Sequence, residues 1–289
     1  MASGLMRVLG RPVRMAHMAY SLWRVRNAPE YENPTRAEFD SIEADLKNLG
    51  IEIEPLVLDP VRFARFKSLL PFPPKYYGGE SGGVWDEKLL EHFIAFERLG
   101  LEQLDDDEIY LDIAAFESPW ASLLRNKLSV QAYAIDLKSS SEYCHLPYYM
   151  QGDATAMSFD VGGVKAASLQ CAFEMFTGNS DVELIREFGR VLGEGGRCII
   201  SPLYMHTHYC GYSTADCFGR GYSDPGAVEY VRRQYRGIQF SRKYDALTLK
   251  NRILDAIIES GLRYRLLVLR NSEALGSNIY CHFILEILK

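Results

Sequence analysis

Several features that commonly announce a function are missing from this chain. No apolar run in its 289 residues approaches the ~18–20 needed to span a bilayer, which argues against a transmembrane helix. There is no basic excess: the formal charge is -6, so a protein that grips nucleic acid through its phosphates is not expected. The six cysteines form no CxxC pair and are too few for a disulfide scaffold of this size. Reduced thiols in a cytoplasmic setting are the simplest reading. No GxGxxG follows any strand-like run, which counts against a nicotinamide dinucleotide site. Apolar residues at 47% and charged residues at 24% are ordinary for a globular protein with a sizeable core.

The first 26 residues carry Arg7, Arg11, Arg14, Arg24 and Arg26, with no acid before Glu30. Because arginines and His17 interrupt the apolar run, a signal peptide is not expected. With Leu22, Trp23 and Val25 it suits either peripheral contact with an anionic membrane or a helix packed on the main domain or on a second subunit, as in a homodimer. Pro12 breaks any long amphipathic face and favours packing.

Thr35 and Glu38 form a capping-box pair for a helix that Gly50 ends. A short strand, Ile51 to Leu58, and a helix, Val61 to Leu70, follow. Pro71-Phe72-Pro73-Pro74 marks a boundary between a mainly helical extension, residues 1–74, and a domain over residues 75–289. Leu89, Leu90, Phe93, Ile94 and Phe96 predict a helix with a wide apolar face. From Glu108 strands alternate with helices: 108–114, 131–137, 148–151, 164–169 and 197–201 as strands, 119–125 and 180–192 as helices. That order predicts an α/β fold with a parallel sheet wound by crossovers. The last two strands have no helix between them and are expected antiparallel.

Ligands of such sheets bind at the carboxyl ends of the strands. Asp112 ends the first of these strands and can hold an ammonium group. Asp136 ends the second and can accept from both ribose hydroxyls of a nucleoside. Asp153 follows the third and can accept from an adenine amino group. The loop around Tyr77 and Gly78 is placed to act as a lid or as a turn over the sheet edge.

At this point the chain resembles the class I S-adenosylmethionine-dependent methyltransferases. The resemblance runs from Tyr76 to Lys289. It is carried by Gln151-Gly152-Asp153-Ala154-Thr155-Ala156-Met157-Ser158-Phe159, by Ala167 to Glu174, and by Glu187 to Arg197. It implies a Rossmann-like, seven-stranded, mostly parallel sheet with an antiparallel last strand, and S-adenosyl-L-methionine as cofactor. It also implies cofactor contacts from Ala154 and Cys171. One departure stands out: the first loop, Asp112-Ile113-Ala114-Ala115-Phe116-Glu117-Ser118-Pro119, has no glycine. Ala114 and Ala115 permit close approach only where the backbone needs no positive φ.

Methyl transfer to oxygen calls for a base. His206 and His208 are the candidates, with His145 and Glu174 behind them. His206, His208, Cys210 and Cys217 also suit a metal by ligand type, but their spacing matches no standard zinc module. Residues 203–245 are too long for a simple connection and read as an insert. Its seven tyrosines suit a sugar or aromatic acceptor, and Arg232, Arg233, Arg236, Arg242 and Lys243 a phosphorylated one. Alternatively, Arg232 and Arg236 lie on a solvated helix face. The expected activity is O-methylation of a small-molecule or sugar-containing acceptor. The competing reading is a non-catalytic scaffold of the same fold.

Overall fold

The computed structural model describes residues 15–16 and 18–289. The chain runs α1 (Arg36–Asn48), β1 (Ile53–Leu56), α2 (Pro60–Leu69), α3 (Trp85–Leu99), β2 (Ile109–Ile113), α4 (Trp120–Leu128), β3 (Gln131–Asp136), β4 (Tyr149–Gln151), β5 (Val164–Gln170), α5 (Ser180–Val191) and β6 (Leu192–Leu203). The insert supplies β7 (Cys210–Thr214), β8 (Val228–Arg232) and β9 (Ser241–Lys243). Then come α6 (Ala246–Thr248), a π-helical segment Leu249–Leu254, α7 (Asp255–Glu259), β10 (Arg263–Leu269) and β11 (Phe283–Leu288).

The large sheet has the order β1-β10-β11-β6-β5-β2-β3-β4. Only β11 runs antiparallel to its neighbours. Seven of these strands reproduce the expected architecture, including the antiparallel last strand. The eighth is a difference: Ile53–Leu56, from the stretch before the proline-rich break, pairs with β10 as an edge strand. Strand propensity cannot say which sheet a short segment joins; the pairing partner lies more than 200 residues away.

Period-2 alternation sends successive β2 side chains to opposite faces. Leu111 and Ile113 join a core with Ile42 and Leu46 of α1, Leu184 and Phe188 of α5, and Leu249 and Ile253 of the π-helical segment. Tyr110 enters the opposite core, where Phe63, Phe66, Phe93 and Trp120 pack. The result is three layers, helices on both faces of one sheet. Helix α1 starts as expected, with Thr35 and Glu38 completing the capping box.

The insert differs from expectation in one respect. It forms a mixed three-stranded sheet, β8-β7-β9, so Arg232 ends a strand and lies on no helix face. Its guanidinium lies over the ring of Tyr235 at 4.6 Å. Arg242 is fully buried and pairs with Asp181 and Asp224, at 2.5 Å each. It ties the insert to α5 and is not offered to a phosphate. Arg233 pairs with Glu30 and is likewise engaged.

A helical stretch over 18–24 leads into Val25, which packs on Ala215 and Val231 of the insert. Arg24 donates to the carbonyls of Ala215 (3.3 Å) and Phe218 (2.5 Å). Packing on the main body thus accounts for Val25 and Arg24. Arg7, Arg11 and Arg14, on which the membrane-contact reading draws together with Leu22, Trp23 and Val25, lie outside the described residues, as does His17. Among the described residues no helix is long and apolar enough to cross a membrane.

Candidate active site

Strand order reverses between β2 and β5, with β3 and β4 on one side and β6 on the other. Crevices at such switch points are where open α/β sheets bind ligands. Here a cavity of about 800 Å³ opens at the carboxyl ends of these two strands. Asp112, Ala114 and Ala115 line it from the β2 side, Gln170 from β5, and Tyr76, Tyr77 and His92 from the N-terminal side. Its size falls within the 300–1,000 Å³ of small-molecule sites.

Asp112 is held between Ala134 and Ser168 by the strand register. Its side chain is 1% exposed and accepts a hydrogen bond from Ser118 Oγ at 2.9 Å. Burial pushes its pKa up to about 7, against the opposing pull of that hydrogen bond. A cationic ligand group beside it would restore the carboxylate. Ser118 Oγ also accepts from Trp120 N–H at 3.3 Å, at the start of α4.

The first loop adopts the backbone that glycine would supply. Ala114 has φ +57° and Glu117 φ +56°. The condition under which alanine would be harmless is therefore not met, and both residues sit in the left-handed region at a cost. What fixes them is the turn itself: Ala115 N–H donates to Ile135 C=O at 3.2 Å and Phe116 N–H to Asp136 Oδ2 at 3.1 Å.

Asp136 accepts from that N–H and, through Oδ1, from Lys138 N–H at 2.8 Å. Each carboxylate oxygen retains a further lone pair for a ribose hydroxyl. The cleft beside it, bounded by Ala115, Ile135, Ser140 and Met150, holds only about 20 Å³, room for about one water. A cleft of that volume has no room for a nucleoside.

The remaining expected contacts are dispersed. Tyr77 (φ +45°) lines the cavity, half exposed, in a short turn with Gly78 (φ +82°). Asp153 is exposed, and its Oδ1 accepts from Thr155 N–H and Oγ1. Ala154 is buried in the core with Met157 and does not border the cavity. Cys171 (φ +50°) follows Gln170 at the end of β5, its Sγ 3.2 Å from Tyr204 Oη, and burial pushes its thiol up to about 12.

Neither His206 nor His208 lines this cavity. They stand beyond Tyr204, Lys243 and Tyr31: Lys243 Nζ lies 3.7 Å from the Tyr204 ring centre, and the Tyr31 ring 5.9 Å from that of His206. His145 is exposed on a loop. Glu174, the weaker sequence candidate, does not line the cavity either, but it follows β5 by four residues. Its Oε1 lies 3.6 Å from Cys171 Sγ, while Oε2 is buried with no hydrogen-bond partner among the described residues.

Sequence patterning passed over the polar groups of α3. Lys88 and Glu91 pair at 2.7 Å, nearly fully buried, with the ammonium 5.1 Å from the Tyr77 ring centre. His92 accepts or donates at 2.8 Å with Tyr76 Oη, and burial drives its pKa down to about 3. Glu91 Oε2 and His92 Nδ1 have no partner among the described residues. The available signal was Glu87, Lys88, Glu91 and His92 inside a helix apolar nearly all round, since buried titratable groups cluster at functional sites. Lys243 is also buried, without a carboxylate against it, and desolvation lowers its pKa to about 8.

No family model matches the sequence, and no curated protein does. Solved structures do resemble it. A sugar N-methyltransferase from Streptoalloteichus sp aligns over 74% of this chain and 91% of its own, at 14% identity and TM-score 0.46. The 1,6-didemethyltoxoflavin-N1-methyltransferase of Burkholderia thailandensis, solved with S-adenosylhomocysteine, aligns over 81% and 91%, at 12% identity and TM-score 0.45. A methyltransferase of Methanosarcina mazei aligns over 64% and 94%, at 14% identity and TM-score 0.41. By its own strand order, the chain has the Rossmann-like sheet that its resemblance to the S-adenosylmethionine-dependent methyltransferases implies.

Proposed function

We propose that this chain is an S-adenosylmethionine-dependent methyltransferase acting on a hydroxyl of a small-molecule or sugar-containing acceptor. The observation that carries the reading is the cavity at the switch point, with buried Asp112 at its inner end. The donor set suits such a cofactor: a buried acid for an ammonium, Asp136 for a ribose diol, and small Ala114 and Ala115 against the chain between them. The bound cofactor supplies an electrophilic methyl on a sulfonium sulfur.

The chain's own residues then position the acceptor and take its proton. Positioning of the reacting atoms can by itself provide much of the rate. Glu174 is proposed as the base ahead of His206 and His208 for its place just after β5: its Oε1 lies 3.6 Å from Cys171 Sγ and its Oε2 has no hydrogen-bond partner among the described residues, although none of the three borders the cavity. Tyr76, Tyr77 and Tyr143 line the cavity and offer flat walls suited to a sugar or aromatic ring. The negative net charge remains at odds with a nucleic acid acceptor.

A second reading, a non-catalytic binding protein of the same fold, draws on the narrow cleft beside Asp136 and the glycine-free loop. Calorimetric titration separates the two. Saturable binding of S-adenosylmethionine or S-adenosylhomocysteine, weakened at least tenfold by Asp136→Ala, supports the enzyme. Absence of both binding heat and thermal shift at millimolar cofactor would sink it.

A further inference from the structure

The two histidines that the cavity leaves out have a different neighbour. The donor atoms of His206, His208 and Cys210 all lie within 4.8 Å of one another. They come from alternate positions, His206 and His208 in the segment joining β6 to β7 and Cys210 at the start of β7; His206 and Cys210 are buried and His208 half-buried, while Thr207 stays exposed. Cys217, which shares their ligand chemistry, is not part of the convergence. The geometry points to a binding site for one borderline divalent cation, of the zinc class, at His206, His208 and Cys210.

Two imidazoles and a thiolate suit zinc, which takes nitrogen at about 2.0–2.1 Å and sulfur at about 2.3 Å. Tetrahedral ligands at those lengths stand roughly 3.3–3.7 Å apart. Small side-chain rotations close the present spacing. Three protein ligands leave a fourth position for water or another ligand. His208 has the outer hydrogen bond that metal-bound histidines usually keep: its Nε2 lies 2.9 Å from Tyr230 Oη. The site is walled by Tyr31, whose ring is 6.1 Å from that of Tyr230. Burial pushes the Cys210 thiol up to about 12, and Lys243, on the strand paired with β7, opposes that shift only in part, so the metal itself must displace the proton. Glu38 of α1 lies within electrostatic reach of both histidines and favours a bound cation.

Binding forms the sulfur–metal bond as the Cys210 S–H proton leaves to solvent; no oxidant or reductant takes part. The ion would fasten the end of β6 to the insert sheet. This inference is independent of the cofactor reading, since the site lies outside the switch-point cavity.

Cobalt(II) provides the test, because a thiolate ligand gives a near-ultraviolet charge-transfer band and four-coordination gives intense visible bands. The full chain, stripped with chelator, is titrated with cobalt alone. The expected result is saturation at one ion per chain, loss of the bands on adding zinc, and absence of the charge-transfer band in Cys210→Ser. Cys210 is fully buried, so His208→Ala, a half-exposed position, serves as a second variant with circular dichroism as fold control. It should weaken cobalt affinity at least tenfold with the fold intact. Exposed Cys144→Ser should change nothing. No charge-transfer band in the native chain, a band that survives Cys210→Ser, or unchanged affinity in folded His208→Ala overturns the proposal.

Discussion

Replacing Asp112 by Asn should change the sign of its effect on stability between acid and alkaline pH. The folded-state pKa of Asp112, about 7, lies above the ordinary 3.8 because the carboxyl is buried. The folded chain holds this proton where the unfolded chain has lost it. Its contribution is therefore fully present below pH 3.8 and is lost as pH rises to about 7. The loss corresponds to about 4 kcal/mol. Asparagine cannot ionise and escapes it. The amide oxygen can still accept from Ser118, but the new NH2 lacks an evident partner and costs about 1–3 kcal/mol. At pH 8 the variant should be the more stable by about 1–3 kcal/mol. That is a rise in melting temperature of roughly 5 °C for a chain of this size. At pH 4 both forms are neutral, and the variant should be the less stable by the amide cost. His92, whose depressed pKa makes stability fall as pH drops from about 6.5 toward 3, acts equally in both proteins and cancels in the difference. Urea denaturation of both proteins at pH 4 and pH 8 provides the measurement. The same order of stability at both values would refute the assignment of a buried, proton-holding Asp112.

The first loop offers a second test. Ala114→Gly removes a left-handed alanine worth about 1–2 kcal/mol and adds about 0.4–1 kcal/mol of unfolded-state entropy. A small net gain in thermal stability is expected, and Ala114→Val should lower it; a loss with glycine would mean the loop is held some other way. In the insert, Arg242→Met leaves Asp224 buried without a cation, while Asp181 keeps Arg252 at 2.7 Å. Equilibrium unfolding should register a loss of about 3–5 kcal/mol, and a change below 1 kcal/mol would show that Asp224 finds another partner.

The fold and the site were legible to different depths. Capping, turn chemistry and apolar periodicity are local, so α1, α4 and strands β2 to β6 could be read directly from the chain. Asp112 and Asp136 were legible because a strand-end acid is a local feature too. The sequence by itself therefore determined the alternation of strand and helix, the antiparallel last strand and the acids at the strand ends. Tertiary structure decided what depends on distant partners. It drew Ile53–Leu56 into the sheet beside β10, buried Arg242 between two acids, and brought His92 of α3 to the wall of the cavity, with Lys88 and Glu91, which look like interruptions of an apolar helix, paired and buried beside it. It also separated His206 and His208 from the cavity and set them beside Cys210. Backbone propensities act over a few residues, whereas the burial of a charge or the meeting of three donors is fixed only when the whole chain has packed.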